Sequence, residues 1–230
     1  LAKNTIISYE QDLINAQNNI IGNKLLSKIN SSDVQFLLSI WSKKLSRRSQ
    51  SRKLSSLKQF MNWLRVEKKR TDNIFNNVVS PKIKTSLPNV LSENQVKRLL
   101  KFADYDKSKS SLQLLCILEI LYSTGLRVSE LISLPLSGME KNPETIIVKG
   151  KGGKQRLVAL NNSSRVAIKR WLYVRHKLKY SVDSIYLFPS KKFGFISRQS
   201  LSHQIKVLAQ KAGIMDFIVT PHTLRHAFAS

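Results

Sequence analysis

Acidic residues and cysteine are scarce in this chain of 230 residues, and no apolar run is long. There are 14 Asp plus Glu against 39 Lys plus Arg, a formal charge of +25 at pH 7. That imbalance is far beyond what solubility requires, so it points to a polyanionic partner, and nucleic acid fits it better than a membrane surface. The one cysteine, Cys116, cannot close an internal disulfide. It lies in the apolar run Leu112 to Leu121, where it reads as a small core residue in a chain suited to a reducing compartment. Glu119 interrupts that run, which falls short of the roughly 20 residues a spanning helix needs. No transmembrane segment is therefore expected, and the cytoplasm is the expected location. Leu1 to Thr5 lacks the basic-then-apolar order of a signal peptide. With no initiator Met, the chain reads as one entered partway.

What is present is mostly helical periodicity. Ile6, Ile7, Leu13 and Ile14 recur at helical spacing in a first segment broken by Asn18-Asn19 and Gly22-Asn23. A second helix, capped by Ser32, carries the stripe Val34, Leu37, Leu38 and Trp41, and a third from about Ser49 to Val66 turns Leu54, Leu57, Phe60, Met61 and Leu64 inward. Between Lys43 and Arg70 stand eleven basic residues and one acid, Glu67. Such an excess along two adjacent helices exceeds an ordinary solvated face, so Lys43, Lys44, Arg47, Arg48, Arg52, Lys53 and Lys58 are expected to meet a phosphate backbone. Ser46, Ser49, Ser51, Ser55 and Ser56 among them are small enough to let a helix approach that backbone closely.

Residues 81–91 hold Pro81 and Pro88 without any period and read as a linker, which gives a helical domain over 1–80 and a second domain over 92–230. The second opens with the capping box Ser92 to Gln95, ahead of Val96, Leu99, Leu100 and Ala103. An apolar, central helix from about Ser110 to Tyr122 stops at Gly125, and Arg127 then stands at the start of a short helix with Glu130 one turn away. Past Pro143 the pattern becomes β-branched. Thr145 to Val148 and Arg156 to Leu160 flank Gly150-Lys151-Gly152-Gly153-Lys154, a β-hairpin with a basic tip that includes Lys151 and Lys154. A lone Gly-Lys-Gly is not a phosphate loop, so no nucleotide site is expected. Asn161 or Asn162 caps a further helix with Val166, Ile168, Trp171, Leu172 and Val174 inside; Ile185 to Pro189 is extended, and Ser200 to Ala212 is helical. At the end, Thr220 can cap a helix whose first turn holds Pro221 and which aims His222 and Arg225 from one face.

Arg127, a hairpin lysine and His222-Thr223-Leu224-Arg225 together are the parts that phosphoryl transfer on DNA requires. Two arginines can grip non-bridging oxygens as they gain charge, a lysine can protonate a leaving oxygen and a histidine can relay a proton, with no metal needed.

The order and wording of four motifs also resemble one family. Thr124 to Leu131, Gly150 to Val158, Leu187 to Ser190 and Pro221 to Ala229 are similar to the tyrosine site-specific recombinases, most of all the bacterial Xer type, and Asn4 to Leu13 resembles the first helix of their core-binding domain. The resemblance implies a mainly α fold with a small β-hairpin or sheet: a helical, SAM-like core-binding domain and a mixed α/β catalytic domain that clamp duplex DNA. It implies that Arg127 and Arg225 bind the scissile phosphate, that Lys151 is the general acid, that His222 assists proton transfer, and that Glu130 and His226 support them. It further implies a 3′-phosphotyrosyl intermediate, a Holliday junction, a homo- or hetero-tetramer on double-stranded DNA, and no nucleotide cofactor.

The family's nucleophilic tyrosine follows His-x-x-Arg. None of Tyr9, Tyr105, Tyr122, Tyr173, Tyr180 and Tyr186 occupies that place, so no nucleophile is assigned and the chain is expected to be a fragment that binds DNA without cutting it. Ala159 and Gly138 are minor departures from the family pattern. The alternatives are a binding or regulatory module that has lost catalysis, and a phage-type integrase or type IB topoisomerase sharing the chemistry.

Overall fold

The computed structural model describes residues 3–20, 24–76, 78–82, 90–139, 141, 143–150, 153–191, 194–216 and 218–229. The chain divides into two compact units, Leu1–Leu87 and Pro88–Ser230, each with its own apolar core. Residues 83–89 of the expected linker lie outside the described residues.

The first unit consists of α1 (Lys3–Asn18), α2 (Ser31–Lys44) and α3 (Arg47–Val66), with a 3-10 turn at Leu26–Lys28. Val34, Leu37 and Trp41 from α2 meet Leu54, Leu57, Met61 and Leu64 from α3, as their spacing dictates. The cap of α2 is Asn30, one residue before the helix and two before the expected Ser32. Its side chain accepts the Asp33 N–H at 3.0 Å while Asp33 accepts the Asn30 N–H at 2.8 Å, so the acid three residues on selects the cap.

The larger departure is α1. Its isoleucines Ile6, Ile7 and Ile14 are exposed, and the buried positions are Asp12 and Ala16. The Asp12 carboxylate receives Arg52, Lys53 and Ser56 from α3. At about 100° per residue, fixing Asp12 toward α3 turns Ile7 and Ile14 about 140–160° away. A multiply hydrogen-bonded carboxylate thus sets the rotation of this helix against its own apolar stripe.

The second unit is built on α5 (Lys109–Thr124), capped by Ser108 and buried on most sides, Cys116 included. Around it pack α4 (Glu93–Tyr105), which begins with the Ser92–Gln95 capping box, α7 (Asn162–Arg175) and α9 (Pro221–Ala229), while α8 (Arg198–Lys211) lies against α4. The short α6 is Val128–Ile132. Strands β1 (Thr145–Lys149) and β2 (Gln155–Ala159) form the antiparallel hairpin, in register from Thr145↔Ala159 to Lys149↔Gln155. A second small sheet joins β3 (Pro189–Ser190) to β4 (Gly194–Phe195). Asn161 caps α7, whose Trp171 donates its indole N–H to the Leu187 carbonyl at 2.9 Å, while Val166, expected inside, lies on the exposed side. Among the described residues no helix is long and apolar enough to cross a membrane.

Candidate active site

The site begins where α5 ends. Gly125 adopts a left-handed φ of 58° that closes the helix, its N–H reaching the Leu121 carbonyl at 3.0 Å. A Cβ there would stand 2.4 Å from Cδ1 of Phe228, so the absence of a side chain also lets the ring of α9 seat on this turn. Two residues later Arg127 becomes the N-cap of α6. Its backbone N–H donates to Glu130 Oε2 at 2.8 Å and its Nη1 to Glu130 Oε1 at 3.1 Å.

This is no surface ion pair, because Glu130 is only 8% exposed and a second arginine completes it. Arg156 Nη1 donates to Oε1 at 3.0 Å and Nη2 to Oε2 at 2.8 Å, a bidentate fork. Burial opposes ionisation of Glu130, but the Arg156 hydrogen bonds, with the Arg127 amide and guanidinium, outweigh it and lower the pKa to about 2. The carboxylate is therefore ionised throughout the physiological range and holds two cations in fixed positions.

Sequence reasoning passed over Arg156, although one signal was available. In the hairpin register Arg156 pairs with Val148 and Val158 with Ile146, which puts Arg156 on the face of β2 that β1 buries. An arginine on that face needs an acid, and Glu130 is the one it meets. The turn beyond is held by the Gly150 N–H donating to the Lys154 carbonyl at 2.7 Å, and Lys154 is exposed. Lys151, the expected general acid, lies outside the described residues.

The remaining expected residues stand on α9. Thr220 Oγ1 accepts the Thr223 N–H at 3.2 Å, Thr223 Oγ1 accepts the Thr220 N–H at 2.9 Å, and buried Leu224 anchors the first turn. His222 and His226 project outward one turn apart, with ring centroids 4.4 Å from each other. Arg225 is partly buried, and its Nη1 is buried without any hydrogen-bond partner among the described residues. The packing of α9 along α5 and of Phe228 on Gly125 brings the helix of His222 and Arg225 to the turn that presents Arg127.

In the first unit Lys43, Lys44, Arg47 and Arg48 are exposed around the α2–α3 turn. Others of the expected basic face also bond within the unit, although the Arg52 side chain stays 49% exposed. Arg52 pairs with Asp12 and donates to Ser8 Oγ at 2.7 Å; Lys53, with a side chain 12% exposed, reaches Asn15 Oδ1 at 2.9 Å and Asp12 at 3.4 Å. Lys58 donates to Ser80 Oγ at 3.2 Å and lies over the Phe75 ring. Ser56 was expected beside DNA but is buried and donates to Asp12 at 2.9 Å, so its small size serves helix packing.

Comparison with known proteins bears directly on this arrangement. Residues 89–230 match the model of the phage integrase family, and residues 1–68 match its N-terminal SAM-like domain. Tyrosine recombinase XerD of Caulobacter vibrioides is 36% identical over 234 residues, covering all of this chain and 77% of the relative. The chain belongs to the phage integrase family, among its Xer-type tyrosine recombinases. Two solved family members share the fold. The XerH site-specific recombinase bound to palindromic difH superposes with a TM-score of 0.75 at 23% identity, over 98% of this chain and 67% of the other. A lambda integrase tetramer bound to a Holliday junction gives 0.71 at 17% identity, over 100% and 64%. The two units are thus the SAM-like and integrase domains of the family, and the paired arginines, the histidines and the hairpin belong to the second.

Proposed function

We propose that this chain grips duplex DNA for site-specific recombination, with residues 1–80 as the core-binding domain, 92–230 as the catalytic domain and 81–91 joining them. Arg127 and Arg225 hold the scissile phosphate, Glu130 and His226 support them, and Lys43, Lys44, Arg47, Arg48 and Lys154 add backbone contacts. In the reaction a tyrosine oxygen attacks phosphorus, the bond from phosphorus to O5′ breaks, and a 3′-phosphotyrosyl link forms. Lys151 gives a proton to the departing O5′, and His222 assists transfer of the phenolic proton. The ester link retains the energy of the broken bond, so rejoining needs no nucleotide cofactor. Strand exchange then passes through a Holliday junction in a tetramer of recombinase subunits in the cytoplasm, as in chromosome dimer resolution or mobile-element integration. None of this chain's six tyrosines is assigned as the nucleophile.

The observation that carries this reading is the Nη1 of Arg225, buried and without a hydrogen-bond partner among the described residues. A charged donor out of water and without an acceptor is costly, and an oxyanion held between it and Arg127 supplies the missing acceptor. The test uses the complete gene product and a nicked suicide duplex. A trapped 3′ protein–DNA adduct is expected, and its absence overturns the proposal. In the same protein Arg225→Ala should lower adduct formation about 1000-fold. Noncovalent binding should stay within about threefold, because many basic residues share the backbone charge; equal loss of both would assign Arg225 to general binding. The 230-residue chain alone is expected to bind DNA and form no adduct.

A further inference from the structure

The role of Arg156 is tied to that of Arg127 and rests on the proposed placement of Arg127 at the scissile phosphate. Glu130 is close enough to Arg127 in sequence to take both ends of its guanidinium, since residues three apart on a helix are neighbours. It does not. The fork of Arg156 covers both carboxylate oxygens at 3.0 and 2.8 Å, and Arg127 is left with one guanidinium contact, Nη1 to Oε1 at 3.1 Å. Nε and Nη2 of Arg127 make no hydrogen bond among the described residues, and its side chain is 59% exposed while that of Glu130 is 6% exposed. The carboxylate is saturated from the strand side, and Arg127 is tethered without being consumed.

We infer that Arg156 is a positioning residue for Arg127: by occupying Glu130 bidentately it leaves most of the Arg127 guanidinium open to a phosphate and keeps the cluster cationic. One carboxylate between two arginines carries a net charge of +1, whereas Glu130 with Arg127 alone would carry none. Without Arg156 the buried oxygens would seek the nearest donors, and those are the free nitrogens of Arg127. Lysine cannot take over, because a single ammonium lacks the planar fork that satisfies both oxygens at once. The same fork fastens β2 to α6. A Cβ added to Gly150, at the base of the hairpin turn, would lie 3.4 Å from Arg156 Nη1 and 3.9 Å from Glu130 Oε1, so the turn passes close beside this ion pair.

The experiment uses the complete gene product and a nicked duplex bearing the site that this protein selects from a random-sequence pool. Single-turnover adduct formation is measured on the ordinary phosphodiester and on a methylphosphonate at the scissile position, which carries no negative charge for an arginine to neutralise. Arg127→Ala is run alongside as the reference for the underlying reading. Arg156→Met is expected to slow cleavage of the phosphodiester about 10- to 100-fold. Noncovalent binding should stay within about threefold, and on the methylphosphonate the deficits of both variants should shrink together. Arg156→Lys, which retains the charge and keeps the inference testable if the Met variant does not fold, should cleave the phosphodiester at an intermediate rate. If Arg127→Ala cleaves like the parent, the reading of Arg127 itself fails. If Arg127→Ala behaves as expected while Arg156→Met shows the same deficit on both substrates, or Arg156→Lys matches the parent, Arg156 is only a packing residue and the inference is overturned.

Discussion

Asp12 in the first unit and Glu130 in the second are both carboxylates sunk below the surface, 3% and 8% exposed, and each is met by two cationic side chains. Around Asp12 every donor comes from α3: Arg52, Lys53 and Ser56 converge on one acid of α1, and the lysine is nearly submerged. The product is a tie between two helices. Around Glu130 the donors come from a helix start and a strand, and Arg127 remains more than half in solvent, with two guanidinium nitrogens unbonded among the described residues. A buried acid under two cations is therefore not in itself a sign of chemistry. What separates the two cases is where the donors come from and what stands beside them. One neighbouring helix ties Asp12, whereas a helix start and a strand meet at Glu130 beside the turn against which α9 packs. Each cluster keeps one half-exposed arginine, Arg52 at 49% and Arg127 at 59% of the side chain.

Removing the acid from each cluster gives the sharpest test of that contrast. Asp12→Ala leaves Lys53 without its carboxylate and should destabilise the first unit by about 3 kcal/mol, measured by urea unfolding. A loss below about 1 kcal/mol would place Asp12 among ordinary surface pairs. Glu130→Gln should act mainly on adduct formation by the complete gene product. Its stability effect should depend on pH in a defined direction. The folded pKa of about 2 lies below that of an unfolded glutamate. The contribution of Glu130 is thus fully present above pH of about 4.5 and is lost as pH falls toward about 2. The Gln variant should lack that part of the acid dependence, and an unchanged acid limb would mean that Glu130 is not held as described.

A smaller effect probes how the second cluster meets α9. Gly125→Ala must tolerate a left-handed φ and place a methyl group against the Phe228 ring. It should cost about 2 kcal/mol in thermal unfolding. In a Phe228→Ala background only the backbone part, about 1 kcal/mol, should remain. Equal costs in the two backgrounds would show that the ring does not seat on the turn.

The smallest effect is expected from the basic residues that no acid engages among the described residues. Replacing Lys43, Lys44, Arg47 or Arg48 by Ala should each reduce the slope of log K against log salt by about 0.9 where the residue meets a phosphate, measured by fluorescence anisotropy on duplex DNA. Lys53→Ala should leave the slope unchanged and act on stability. A slope change at Lys53 equal to that at Lys43 would erase the distinction between internal and DNA-facing cations.

Much of this is legible in the residues. The capping box at Ser92, the stop at Gly125, the hairpin and the Thr220-Pro221 helix start are local signals, each fixed by neighbours within a few positions, and the structure has all four. The first helix misleads, because its apolar stripe is real but the tie from Asp12 to α3 outranks it, and that tie spans about 40 positions of sequence. Arg156 escapes notice for the same reason, since its partner lies 26 positions earlier.

Charge, helical punctuation, the order of the motifs and hence the family can be read from the residues alone, because each is a property of composition or of residues close in the chain. Which acids are buried, which face α1 turns inward, and which cations keep donors to offer are settled by packing. Those depend on what the folded chain places opposite each side chain, and one carboxylate can satisfy only as many donors as packing brings to it.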